Sequence, residues 1–393
     1  MATVGVNGFG WAFRPMRGGT ALEENGRERA RCGGLVPAYG FAPVAPDVAV
    51  LMSGGVDSTL AAWLLKNEGF AVVGVTMEHN ASSSREAAVA AARGLAIPLY
   101  VTDLRAAFAR EIIAPFVAEY AAGRTPNPCA ECNRRIKFGL LWDRIERAFG
   151  PIPVATGHYA RVERDGGAFF LARGRDEAKD QSYFLAGIPR ERLPRLLLPL
   201  GDKTKAEVRA LAKSAGLAAA EERESMEICF AGEADYRALL GSGASVPGLI
   251  VDEAGRTIGR HRGIGHYTVG QRKGLGIPSA GGLYVLRVEA RNNRIVVGPR
   301  ESTLHRLVRA RDLNVLIPEL LAEGTELVGR IRSKSGLAPC RVVRYDAERE
   351  RIEVLFDEPQ FAPTPGQRLV VHSPEGRVAA GGILFNGEEE RWT

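Results

Sequence analysis

From residue 47 onward, short apolar runs alternate with longer stretches of helical period. Residues 48–52 read Val-Ala-Val-Leu-Met, an unbroken apolar run of strand length, the pattern of a strand covered on both faces. A turn of serine and glycine follows, and residues 60–68 repeat apolar positions at helical spacing until Gly69 stops them. The same pattern predicts strands over 71–77, 99–101 and 154–156, and helices over 85–94, 104–122 and 133–149. Strands alternating with helices specify an α/β unit with a parallel sheet, whose ligands bind beyond the carboxyl ends of the strands. After about residue 235 glycine becomes frequent and alternating runs are short, as at 283–288 and 294–297. From 304 on, runs at 341–345, 352–356 and 368–372 separated by turn residues predict a small all-β domain, a β-barrel. The expected organisation is an α/β domain at 47–235, a small basic central domain at 236–303 and a barrel at 304–393.

Residues 1–46 carry no sustained period. Residues 4–10 read like the opening of a dinucleotide-binding turn, but its third glycine falls at Phe13, and Pro15, Gly18 and Gly19 interrupt the helix that should follow. The expectation is a disordered extension or a start codon assigned too far upstream. Composition adds bounds. Apolar residues at 45% and charged residues at 25% are ordinary for a soluble globular protein. No run of roughly 18 apolar residues is present, which argues against a membrane span. The N-terminus lacks an apolar signal core, which argues against export. Five scattered cysteines, Cys32, Cys129, Cys132, Cys229 and Cys340, suit a reducing cytoplasm in which single thiols do chemistry. The net charge is +6, yet 256–311 holds eleven Arg and Lys273 against Glu289 and Glu301. Such a lopsided segment suggests a polyanionic partner, or else a solvated basic face.

Three short segments carry candidate chemistry. Ser53-Gly54-Gly55-Val56-Asp57-Ser58 lies between a strand and a helix. Its glycines let the backbone approach a phosphate, and the helix start adds N–H donors and a positive partial charge. Ser53, Ser58 and Thr59 offer hydroxyls, and Asp57 is a candidate for holding Mg²⁺ against a leaving pyrophosphate. No Gly-Lys-Ser/Thr follows, so this is not a Walker A loop. It resembles the loop of the PP-loop ATP pyrophosphatases, which split ATP between the α and β phosphates; the plain structural reading is a serine-capped helix. In the second segment, Pro126 and Pro128 stiffen a loop that carries Cys129 and Cys132 ahead of a helix, where a helix start lowers a thiol's pKa. Half a zinc site and a redox pair also fit Cys-x-x-Cys, although no second such pair exists. The third, Ser225-Met226-Glu227-Ile228-Cys229-Phe230, holds a lone Cys between apolar neighbours, which by itself reads as core.

Together these segments resemble the bacterial tRNA-specific 2-thiouridylases, the MnmA family. The match runs over 48–383 and includes further blocks at 155–161, 179–185, 199–209, 267–277, 296–300 and 364–367. The resemblance implies that ATP is held by Leu51, Met52, Ser53, Gly54, Gly55, Val56, Asp57 and Ser58, with Met77 and Gly157 lining the adenosine. It implies adenylation of the 2-oxygen of the wobble uridine in tRNAs reading Lys, Glu and Gln codons, and replacement of that oxygen by sulfur. Cys229 would carry a persulfide brought by a sulfur-donor protein such as a cysteine desulfurase or relay protein. Cys132 would attack it and end in a Cys132–Cys229 disulfide. Asn127, Pro128 and Cys129 would face the target base. His158, Lys179, Asp180, Gln181, Arg332, Ser333 and Gln367 would touch tRNA. The sequence departs from the family pattern at Cys129, where many members carry an acid–base Asp. It also departs at Met226-Glu227 and Ser333-Lys334, in a shortened stretch after Met77, and in the extension 1–46. Two rival readings remain: an ATP pyrophosphatase acting on a small substrate, which needs neither thiol, and a tRNA-binding or sulfur-carrier protein without catalysis. On residue type alone His158 reads equally as a satisfied half-buried histidine, and Lys179 with Asp180 as a surface pair.

Overall fold

The computed structural model describes residues 34–38, 45–80, 85–218, 228–230, 236–241, 245–278 and 281–386. The α/β domain is built on β1 (Val36–Pro37), β2 (Val48–Leu51), β3 (Val72–Glu78), β4 (Leu99–Asp103) and β5 (Val154–Ala155). A hairpin of β6 (Ala160–Asp165) and β7 (Ala168–Arg173) then precedes β8 (Leu196–Leu197). The sheet runs β1-β4-β3-β2-β5-β8, parallel except for β1. Strand pleating explains the unbroken apolar run of β2, since successive side chains face opposite layers. Val48 and Val50 pack with Ala62 and Leu65 of helix α1 (Val56–Asn67), while Ala49 packs with Phe108, Ile136, Phe138 and Trp142 on the other side.

Part of the extension expected to be disordered is instead packed on the domain, at 34–38. Leu35 is buried in the main core, and β1 pairs antiparallel with β4, Val36 opposite Val101 and Pro37 opposite Tyr100. The hydroxyl of Thr102 donates to the Gly34 carbonyl at 2.7 Å. Pro37 lacks an N–H and is tolerated because β1 lies at the sheet edge. The rest of the extension, Cys32 included, lies outside the described residues, as do 81–84 and Ser225, Met226 and Glu227.

The central domain is a four-stranded sheet of β9 (Gly248–Val251), β10 (Thr257–His261), β11 (Tyr284–Glu289) and β12 (Arg294–Gly298). Part of its positive charge is answered locally, because Arg287 and Arg294 pair with Glu289 and Arg256 with Asp252. The third domain comprises β13 (Leu304–Val315), β14 (Glu326–Arg330), β15 (Ala338–Asp346), β16 (Arg351–Phe361), β17 (Arg368–His372) and β18 (Val378–Leu384). The barrel closes because the long β13 pairs with both β16 and β18. Val308, Leu327, Val354, Phe356 and Leu369 fill it together with Cys340, whose thiol burial pushes up to about 12, an inert core group.

The barrel docks on the α/β domain through buried polar contacts. Arg330 pairs with Asp180, and Arg368 pairs with Glu131. Asn314 donates to the carbonyls of Ala186 and Ile188 at 2.8 Å each.

Candidate active site

From β2 the chain steps one way to β3 and β4 and later the other way to β5 and β8, so the carboxyl end of β2 is a topological switch point, where open α/β sheets bind ligands. The loop Ser53-Gly54-Gly55 leads from there into α1. Gly54 has φ +91°, and a Cβ on it would lie 2.5 Å from the Ala87 carbonyl carbon. Only glycine fits there. Gly157 is equally constrained, since its Cβ would lie 2.6 Å from the Asp57 carbonyl carbon. A Cβ at Gly55 would meet nothing nearer than the Ser53 hydroxyl at 3.7 Å, which leaves its backbone open to an incoming group. The Ser58 hydroxyl accepts from Ser53 N–H at 3.2 Å, and Thr59 donates to the Gly55 carbonyl at 3.0 Å. These side chains thus brace the loop from beneath.

Asp57 is committed elsewhere. Its carboxylate accepts from Lys205 Nζ at 2.7 and 2.9 Å and from the Tyr159 hydroxyl at 2.7 Å. Asp57, expected to help hold Mg²⁺, thus already has its charge balanced by a buried lysine. Among the described residues no group of three His, Cys, Asp or Glu could hold a metal.

A cavity of about 490 Å³ extends from this loop. Leu51, Met52, Ser53, Asp57 and Ser58 line one end, with Met77 and Gly157 beside them. Pro128, Cys129, Cys132 and Cys229 line the other end. Val56 points away and packs with Ala212. Cys129 and Cys132 start a continuous helical segment made of Pro128–Glu131, a π-helical stretch Cys132–Leu141, and Trp142–Phe149. Asn127 caps it, its side-chain oxygen accepting from Ala130 N–H at 3.0 Å. The preceding loop is tied to both other domains. Thr125 N–H donates to the Pro365 carbonyl at 2.8 Å, and the hydroxyls of Thr125 and Thr268 are 3.4 Å apart. Cys229 is positioned by its neighbours: Phe230 stacks edge-on against Phe108 and Phe116, and Asn80 donates to the Cys229 carbonyl at 2.8 Å.

The thiols are not activated by the helix start as expected. Burial dominates and pushes Cys132 up to about 12, with Lys137 pulling the other way. Cys132 is only 8% exposed. Cys129 and Cys229 open to solvent, but their crowded surroundings still push both thiols up, with Lys137 opposing. Desolvation also holds His158 well below the ordinary imidazole range, so it is neutral, with Nδ1 2.8 Å from the Thr156 hydroxyl.

The residues expected to touch tRNA divide. His158 and Gln181 line the cavity. Lys179 and Ser333 are partly exposed. Asp180 departs from the expectation of a surface contact: it is 7% exposed, and its carboxylate serves Arg330, Ser182 and the Gly174 N–H, so it locks the barrel to the α/β domain. Arg332 departs likewise, its half-buried guanidinium donating to the Ala362 carbonyl and the Thr364 hydroxyl at 2.6 Å each. Gln367 turns inward and donates to the carbonyls of Thr125 and Pro126 at 2.9 and 3.3 Å. Sequence reasoning passed over Lys205, Tyr159 and Lys137. The first two announce themselves only as long-range partners of Asp57.

Three family descriptions match the chain in order: a tRNA methyl transferase HUP domain at 46–233, a tRNA methyl transferase PRC-barrel domain at 239–299, and an aminomethyltransferase beta-barrel domain at 305–383. The chain is 44% identical over 354 residues to the tRNA-specific 2-thiouridylase MnmA of Moorella thermoacetica, covering 85% of this chain and 97% of that protein. It is 43% identical over 342 residues to the protein of the same name in Desulforudis audaxviator, covering 86% and 98%. A third relative so named, from Roseiflexus castenholzii, is 41% identical over 367 residues, with 85% and 98% covered.

Proposed function

Because the chain belongs to the tRNA-specific 2-thiouridylase family, we propose that it is a tRNA sulfurtransferase that uses ATP to replace the 2-oxygen of a wobble uridine by sulfur. The observation that carries this reading is that the phosphate loop and Cys129, Cys132 and Cys229 line one cavity. The wording of the family descriptions points to methyl transfer, but paired thiols facing a nucleotide loop favour sulfur chemistry.

ATP sits with its phosphates over Gly55 and the start of α1, where open backbone N–H groups and the helix dipole favour anions. Its adenosine lies along Met77 and Gly157. The uridine 2-oxygen attacks the α phosphate, pyrophosphate leaves, and a poor leaving group becomes AMP. Mg²⁺ would enter as the counter-ion of ATP and would supply charge neutralisation of the leaving pyrophosphate. Cys229, a solvent-facing thiol, receives sulfur from a donor protein as a persulfide. The Cys132 thiolate attacks the inner sulfur, the S–S bond breaks, and its electron pair leaves on the outer sulfur as hydrosulfide. That hydrosulfide displaces AMP at C2, and an outside thiol reductant reopens the Cys132–Cys229 disulfide. Asn127, Pro128 and Cys129 would meet the base as it enters, beside His158 and Gln181 of the cavity lining, and Lys179 would meet the tRNA outside it. Ser333 and the arginines of the central domain face the rest of the polyanion. A uridine must leave its stack to reach this cavity. The reaction takes place in the cytoplasm, where tRNA and reduced thiols coexist.

The test is to incubate the purified full chain with ATP, Mg²⁺, a sulfide source and unmodified tRNA, then to digest the RNA and read nucleosides by mass spectrometry. The expected product is 2-thiouridine, dependent on ATP. Folded protein and competent tRNA that yield none would remove the proposal.

A further inference from the structure

Among the described residues Lys137 is the only lysine or arginine lining the cavity, and it has no assigned role. Its helical neighbours are all engaged: Arg134 pairs with Asp312 at 2.5 Å, Arg135 with Glu131 at 2.9 Å, and Arg144 donates to the Thr102 hydroxyl. Among the described residues Lys137 has no hydrogen bond or ion pair, an unusual state for a half-buried ammonium beside Met77, Phe108 and Leu141.

Helix geometry explains why it points there. In an α-helix residues five apart diverge by about 140° around the axis. Cys132–Leu141 is π-helical, and its wider turn with i→i+5 hydrogen bonds swings Lys137 back toward the side of Cys132. Cys132, Asn133, Lys137 and Leu141 all line the cavity. Other titratable groups nearby supply no competing charge. His79 and His158 are held toward neutrality by burial, and Asp57 at the far end is paired with Lys205. What remains facing Lys137 is Cys129, Cys132 and Cys229.

Resting on the thiolation reading, we propose that Lys137 is the electrostatic partner of the two-thiol step, holding the negative charge of the attacking Cys132 thiolate and of the hydrosulfide that departs from Cys229. In that step the Cys132 sulfur forms a bond to the Cys229 sulfur, the persulfide bond breaks, and one negative charge moves from Cys132 to the hydrosulfide. A fixed cation beside both positions serves start and finish alike. The persulfide sulfur is the oxidant, so the step balances without another.

The test compares full-length wild type with Lys137→Gln, Lys137→Met and Lys137→Arg, each checked for wild-type melting. Below its midpoint a thiol alkylates at a rate proportional to its thiolate fraction. Removing a neighbouring cation therefore slows iodoacetamide capture of Cys132 at fixed pH, by roughly tenfold for a one-unit shift. The expected result is that slowing in both neutral variants, recovery in Lys137→Arg, a tenfold or greater loss of 2-thiouridine formation, and unchanged ATP affinity. Alkylation of Cys132 that ignores the charge at 137 overturns the proposal, as does a collapse of ATP affinity with alkylation unmoved, which would make Lys137 a phosphate ligand. Wild type that makes no 2-thiouridine overturns the thiolation reading instead, so the two failures are distinct.

Discussion

Within one cavity, the phosphate loop is held by hydrogen bonds that span at most five residues, whereas the loop carrying Cys129 is held by a Gln367 bond that spans 242. At the nucleotide end, strand, turn and helix fix one another, and Ser58 and Thr59 close the turn from inside. At the thiol end, residues from three distant stretches meet only once the barrel and the central sheet have docked. One end of the site is a property of a local segment; the other is a property of the assembled molecule. Lys205 and Tyr159 are the exceptions at the nucleotide end, reaching Asp57 across 148 and 102 residues.

The sharpest division comes from the thiols. Cys132→Ser and Cys229→Ser should each lower 2-thiouridine formation by roughly a thousandfold or more, with ATP affinity within about twofold of wild type. A parallel loss of ATP affinity, read by calorimetry, would mean the two ends are not separable. Gly54→Ala attacks the local end: at φ +91° and 2.5 Å from the Ala87 carbonyl carbon, an added methyl clashes with backbone. It should cost about 2–4 kcal/mol in urea unfolding and abolish ATP binding. A wild-type melt would show that this end is not rigidly prescribed. Gln367→Ala tests the distant end more gently. Losing its two bonds to the loop should cost about 1 kcal/mol and slow thiolation roughly fivefold, leaving ATP affinity intact. Equal losses in both readouts would break the contrast.

The same contrast explains what could be read from the residues alone. Ser53 to Ser58 was legible because all its determinants lie in six consecutive positions between a strand and a helix. The alternating order of strands and helices and the late all-β segment were legible from periodicity. Leu35 to Ala38 was not, since an edge strand two residues long, anchored by one leucine, leaves no period to detect. Asp180 and Arg332 were misplaced at the surface because polarity in a short motif says nothing of a partner such as Arg330, 150 residues from Asp180. The thiols' surroundings were misjudged because the helix-start argument counts a dipole and omits the core packed around Cys132. Lys137 escaped notice because the groups it faces include Cys229, which a distant stretch of chain brings to the cavity.

Gly123 and Thr125 lie where all three domains meet. A Cβ at Gly123 would sit 2.9 Å from Val288 of the central sheet, and Thr125 gives its N–H to the barrel and its hydroxyl to Thr268. This three-residue keystone leaves little slack. A swivel of either appended domain against the catalytic body would part Gly123 from Val288 or break a bond of Thr125, a few residues before Cys129. A load placed anywhere on the two outer domains is thus felt as tension at the mouth of the cavity.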